Sequence, residues 1–193
     1  MGSAEKILDV KPTLLAPTAG RILISVPFFN DPFFNRTVVM LTDYDENGAA
    51  GLILNKEAGY KVSKVAPSLK IDKPLFVGGP VFHDRLFALH TQASCKAASR
   101  LIPGIYTGYD DVFIAMAEYN AVPELRYKFF IGYSGWSALQ LDDEIDRNMW
   151  VIGNANHDLV FNTPADKIWE TAIRNLGDDY VHWLEVPELL SSN

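Results

Sequence analysis

The sequence is poor in cysteine, in positive charge and in long apolar runs. Cys95 is the one cysteine in 193 residues. A lone thiol forms no internal disulfide and supplies none of the paired cysteines of a structural zinc site. Seventeen Lys and Arg face 24 Asp and Glu, a net charge of −7. Duplex DNA is bound by clustered basic groups that displace phosphate counterions. The closest lysine group, Lys61, Lys64, Lys70 and Lys73, is spread out and balanced by nearby acids, so no direct duplex-DNA binding is expected. No apolar run approaches the ~20 residues of a membrane span. The start, MGSAEK, has Lys6 where a myristoylation motif has Ser or Thr. These absences predict a cytoplasmic protein with no membrane partner, no cofactor and no metal.

What is present is an ordinary globular composition, 48% hydrophobic and 21% charged. A chain of this length forms one domain that buries roughly 70% of its unfolded surface. Two prolines and weak periodicity predict an N-terminal arm over residues 1–19, a domain over 20–186 and a tail over 187–193. Short β-branched runs predict strands at Arg21–Val26, Thr37–Thr42, Gly51–Asn55, Pro74–Val77, Arg85–His90, Ile105–Thr107, Tyr127–Tyr133, Trp150–Ile152 and Leu159–Phe161. Asn47-Gly48 predicts a hairpin turn. The four phenylalanines of Pro27–Arg36 must pack down around an Asn-Asp-Pro turn. Helices are expected at Lys61–Ala66, at Asp111–Asn120 and from the capping box Ser137-x-x-Gln140 to about Asn148. A last helix opens at Thr163-Pro164 and ends at Gly177. Interleaved strands, hairpins and helices predict an α/β fold, a mixed sheet covered by helices in a sandwich.

Five patterns carry candidate chemistry. Asp43-x-Asp45-x-Asn47-Gly48 matches the first half of a calcium loop. Position twelve, where a bidentate Glu belongs, is Leu54, so a polar hairpin tip is the expectation. Gly132-x-Ser134 sits where a hydrolase nucleophile would, but Trp136 replaces the second glycine of that elbow. Gly78-Gly79-Pro80 follows a strand and permits close approach of a ligand or of another backbone. It lacks the Lys-Ser/Thr of a P-loop. Among the histidines, His83 and His90 are seven apart, which points them to opposite faces of a strand. His90 ends an apolar run as a semi-buried side chain. On the helix after Ser137, Gln140 and Glu144 share a stripe about 100° from that of Leu141 and Ile145, on the border between core and solvent.

Residues 20–56, GRILISVPFFNDPFFNRTVVMLTDYDENGAAGLILNK, resemble the opening of the AlgH/YqgE family of bacterial proteins. The resemblance continues through Gly78-Gly79-Pro80, Asp84-Arg85, Leu89-His90, Gly132-Tyr133, Trp136, Gln140-Leu141, Glu144-Ile145, Asn148, Trp150 and Thr163-Pro164. It covers residues 20 to about 180. Leu139 departs from it, since the family has Gly before the Gln. The resemblance implies an α/β sandwich with a mixed sheet and an activity that is not established; the transcriptional-regulator label of some members comes from a genetic association. The expected function is a regulatory module that binds a small molecule or a protein partner. Its site is expected to combine Asn55, Gly78, Gly79, His90, Trp136, Gln140 and Glu144. The alternatives are a hydrolase using Ser134 or a carboxylate, and, with less support, a transcriptional regulator.

Overall fold

The computed structural model describes residues 10–29, 31 and 33–187. Part of the expected arm, Asn30 and Pro32 of the Asn-Asp-Pro turn, and all but Pro187 of the expected tail lie outside the described residues. Among those described, ten strands form one curled sheet. In chain order they are β1 (Arg21–Ser25), β2 (Val38–Asp45), β3 (Gly48–Ile53), β4 (Glu57–Lys61), β5 (Pro74–Val77), β6 (Val81–His90), β7 (Ser99–Ile102), β8 (Ile105–Thr107), β9 (Tyr127–Ser137) and β10 (Trp150–Asn154). The helices are α1 (Val62–Val65), α2 (Asp111–Tyr119), α3 (Gln140–Asp146), α4 (Ala165–Leu176) and α5 (Asp178–Val181).

The main path runs β10-β1-β2-β3-β9-β6-β8-β7. Its pairings are antiparallel, and β5 alone runs parallel to its neighbour, β9. The expected mixed sheet is therefore present, as a half-barrel. Its curl brings β7 back until the Leu101 carbonyl and Ile102 stand against Gly20, just before β1.

Strand β9 is the axis of the fold. One edge pairs with β6 along most of its length. The other edge pairs with β5 at Phe129–Ile131 and with β3 at Ser134–Ser137. Because β5 and β6 lie on opposite edges of β9, the chain crosses β9 between them, and residues 78–80 are all the chain available for it. The Gly78 N–H donates to Ile131 O at 2.9 Å, and Gly78 O accepts from Ile53 N at 2.9 Å. Close backbone approach, one of the two uses open to adjacent glycines, is thus their structural role.

Alternation along the strands makes two apolar faces. Ile22, Ile24, Val38, Met40 and Leu52 point to one face, where Ile168, Trp169, Ala172 and Ile173 of α4 cover them. Leu23, Val39, Leu41, Ala49 and Ile53 point to the other, beneath Leu141 of α3 and the aromatic cluster Phe29, Phe33, Phe34, Trp136 and Trp150. The expected burial of the Pro27–Arg36 aromatics holds for Phe29, Phe33 and Phe34, while Phe28 stays 38% exposed. A third core seats Phe113 and Ala117 of α2 on Phe129 and Ile131.

Several local expectations change. Strand β9 continues to Ser137, and no strand-to-helix elbow forms at Ser134. Helix α3 begins at Gln140 rather than at Ser137. Ser137 and Gln140 still pair, since the Ser137 N–H and Oγ–H both donate to Gln140 Oε1 at 3.1 Å. Leu159–Phe161 is a π-helical turn over Asp158–Asn162, not a strand. Thr163 does not cap α4; its hydroxyl donates to Asp158 O at 2.9 Å. The start of α2 does carry the Asp cap that its sequence predicts: it is Asp110, whose Oδ1 accepts from Phe113 N at 2.8 Å. The arm docks from residue 10 onward, with Tyr180 donating to Lys11 O at 2.6 Å.

Candidate functional site

The hairpin β2–β3 shapes an open cleft of about 410 Å³ with β9 and the start of β6. A bulge lies between Leu41 and Asp43. Leu41 and Tyr44 are three residues apart, yet both pack into the same face. The extra residue inverts the alternation and carries Asp43 and Asp45 together onto the opposite face. Asp43 pairs with Ala50, which pairs with Gly135, and Asp45 pairs with Gly48. The floor beside the two carboxylates is therefore made of Ala50, Gly48 and Gly135. Tyr133 and Val81, themselves paired across β9 and β6, form the wall.

Above Tyr133 stands Phe82, 49% exposed and at a φ of 50°. Its ring stacks on Tyr133 at 5.9 Å, and the Arg85 guanidinium lies 4.6 Å from the centre of the same ring. An exposed phenylalanine in the left-handed region costs energy that its surroundings must hold in place.

The calcium-like pattern lines this cleft, but its geometry is that of a hairpin tip. Asp45 accepts from the Asn47 N–H at 2.7 Å. Leu54 is completely buried, so the twelfth position offers no oxygen. Among the described residues no three His, Cys, Asp or Glu side chains gather around a metal position. We expect calorimetry with millimolar calcium to give no saturable heat; a heat that Asp43→Ala abolishes would refute this.

Of the seven site residues proposed from sequence, three form one network. Glu144 Oε2 accepts from the indole N–H of Trp136 and of Trp150, each at 2.8 Å. Its Oε1 accepts from Gln140 Nε2 at 3.0 Å. One carboxylate oxygen thus ties side chains on β9 and β10, which three strands separate. Of the seven, Trp136 also lines the cleft described above. Gly78 and Gly79 lie against Gly132, Tyr133 and Ser134. Asn55 holds the entry to β2, accepting from Val38 N at 3.0 Å and donating to Arg36 O at 2.8 Å.

His90 sits elsewhere, fully buried beside Tyr106 and Phe113. Its Nδ1 accepts from Gln92 N at 3.1 Å, which fixes the neutral tautomer, so Nε2–H donates to Gly108 O at 2.6 Å. Burial pushes its pKa below the usual histidine value, against the raising effects of the Gly108 carbonyl and of Asp110. A depressed folded-state pKa makes the unfolded chain the better proton acceptor. Stability from this group is therefore present above pH ~6.5 and lost as pH falls toward the folded pKa, with a slope of at most ~1.4 kcal/mol per pH unit. Urea midpoints measured from pH 7.5 to 5 should fall in the wild type and fall less steeply in His90→Phe. Equal slopes in the two proteins would refute it.

Ser134 is also fully buried, and its hydroxyl donates to Gly78 O at 3.1 Å. That position serves the strand crossing and gives hydrolysis no open nucleophile. Sequence reasoning missed Phe82 and Lys128. The Lys128 ammonium lies 4.5 Å over the Phe76 ring without a hydrogen-bond partner among the described residues, and burial pushes its pKa down to about 8.

With this geometry in place, the chain can be compared with known proteins. The model of the AlgH-like family, DUF179, matches residues 22–181. This chain belongs to the AlgH-like family. A UPF0301 protein of Bacteroides thetaiotaomicron is 34% identical over 192 residues, covering 97% of each chain. A UPF0301 protein of Chlorobaculum tepidum is 33% identical over 177 residues, covering 90% of this chain and 95% of the relative. The solution structure of the AlgH protein from Pseudomonas aeruginosa matches with a TM-score of 0.70 at 28% identity, over 86% of this chain and 93% of that one. The crystal structure of DIP2367 from Corynebacterium diphtheriae shares the fold, with a TM-score of 0.75 at 18% identity over 90% of this chain and 93% of that one. These relatives carry family names without an activity. Among the described residues no helix is long and apolar enough to cross a membrane.

Proposed function

We propose that this AlgH-like protein is a non-catalytic binding module whose ligand occupies the cleft between the β2–β3 hairpin and β9. The carrying observation is Phe82, an exposed aromatic kept in a costly backbone conformation and stacked on Tyr133 at the cleft wall. Strain of this kind persists at sites where a side chain must be presented in one orientation. The floor of small residues leaves room for a ligand, and the buried glycine crossing and the Glu144–tryptophan network hold β9 from behind. In this reading the Gly78-Gly79 crossing and the Gln140–Glu144 pair are the frame of the site, and Trp136 joins frame to cleft.

The test separates binding from folding. Phe82→Asn places a residue that tolerates the left-handed region at the same position. Its folding stability should equal the wild type or exceed it by up to about 1 kcal/mol. Fragments that shift the Gly48, Ala50 and Gly135 amide resonances in the wild type should lose that effect in the variant. A variant that is strongly destabilised, or that binds unchanged, overturns the reading.

A further inference from the structure

We propose that the outer edge of β6 at Leu86–Ala88 docks an extended, acidic segment of a partner protein, added to the sheet as one more strand; this site is separate from the cleft and goes beyond the binding reading above. Three observations carry it. First, the edge is open. The Gly78 N–H donates to Ile131 O, so the main-chain groups of Ile131 face β5. Those of Leu86, opposite Ile131 on β6, therefore face away from β9. Ala88, two residues on, faces the same way. Strand β8 does not cover them, because its ladder with β6 stops at Leu89 and Thr107. Gly108, at a φ of 92°, turns the chain beneath Ala97, and its carbonyl accepts from His90 Nε2 at 2.6 Å rather than from Ala88 N. The Leu86 and Ala88 carbonyls accept only from side-chain hydroxyls, those of Tyr109 at 3.3 Å and Thr107 at 3.2 Å. Their N–H groups have no partner among the described residues. An uncovered row of such groups is a template for another strand.

Second, an opening of about 290 Å³ lies along this edge. Leu86 and Ala88 belong to one face of β6 and Phe87 to the other. All three line the opening, so it straddles the edge of the strand rather than a face. Its far side is Ala97 and Ser99, both exposed. The two free amides are ~6.8 Å apart, the repeat at which an added strand pairs, and the opening takes an apolar side chain of that strand. Third, Arg85, Lys96 and Arg100 each adjoin a lining residue in the chain, are exposed, and have no ion-pair partner among the described residues. Asp110, the acid next to Tyr109, is already engaged by Phe113 N and Lys96 N. In a chain with a net charge of −7, this edge favours carboxylates. It disfavours a second copy of itself, which would bring the same three cations together.

The experiment is an amide-resonance titration of the full chain with a pool of acetylated, amidated pentapeptides carrying Glu at both ends and Val, Leu or Phe at the three inner positions. A second pool replaces Glu by Lys. A third keeps Glu and N-methylates the inner amides, which removes the donors that a strand needs. Expected are saturable downfield shifts of the Leu86 and Ala88 amide protons with the first pool, about tenfold weaker binding of the second and none of the third. Ser99→Trp fills the opening from an exposed position, and Lys96→Glu/Arg100→Glu reverses the charge. With resonance dispersion showing that they fold, both variants should bind the first pool about tenfold more weakly. Phe82→Asn should bind it unchanged, which keeps the outcome here apart from that of the cleft. The docking site is overturned if no pool shifts Leu86 and Ala88, if the N-methylated pool binds equally, or if Ser99→Trp binds unchanged. Equal binding of the Glu and Lys pools, or unchanged binding by the charge-reversed variant, overturns the acidic class. Shifts of these amides that grow with protein concentration and need no peptide assign the edge to a second copy and overturn the partner.

Discussion

Gly79→Ala is expected to destabilise the protein by roughly 3–5 kcal/mol, a large share of the 5–15 kcal/mol that holds a domain folded. A Cβ at Gly79 would stand 2.1 Å from both Ser134 N and Tyr133 C. Those atoms belong to the backbone of β9, which pairs on both edges and cannot move aside. The neighbouring Gly132 shows the same constraint from the other strand, with a φ of 68° and a Cβ position 2.7 Å from Gly79 O. Gly153→Ala is the control. The atoms nearest its Cβ would be side-chain carbons of Ile22 and Ile24, at 3.1–3.3 Å, and these can shift rotamer at a cost of about 1 kcal/mol. Urea unfolding of the two variants should differ by several kcal/mol. Equal stability would mean that the crossing of β9 by residues 78–80 is not tight.

How much of this was legible beforehand depends on which interactions decide each element. Strands with buried β-branched runs, such as β1 and β2, announce themselves because the apolar pattern is local. Strand β4, Glu57–Lys61, is almost wholly exposed and carries no such pattern; it exists because its backbone pairs with β5. Leu159–Phe161 reads as a strand because a three-residue apolar run has no measurable period, and its buried Leu159 and Val160 serve a helical turn equally well. The Gly78-Gly79 pair was visible as a place of close approach, but the partner, whether ligand or backbone, depends on strand order. The aspartates of the hairpin were visible as a pattern. The face they occupy was not, because the bulge that selects it is a mismatch of register between β2 and β3. Phe82 gave no signal, since nothing in Val81–Asp84 marks a left-handed backbone.

Glu144→Ala is expected to cost about 3 kcal/mol, because it orphans two buried indole N–H groups at once. Trp136 and Trp150 are 7% and 2% exposed, so water cannot replace the lost acceptor without opening the aromatic cluster that Phe29 and Phe34 complete. Glu144→Gln separates charge from hydrogen bonding. Its carbonyl oxygen can still accept from both indoles, while its amide meets the donating Nε2 of Gln140 and turns that side chain away. The expected loss is about 1 kcal/mol, with tryptophan fluorescence close to that of the wild type. In Glu144→Ala the emission should shift to longer wavelength as the indoles gain water, and the urea midpoint should fall with it. This outcome assigns Glu144 to the frame that holds β9 against β10. The opposite outcome, unchanged stability in both variants together with loss of ligand shifts at Gly48 and Gly135, would move Glu144 out of the frame and into the binding site itself.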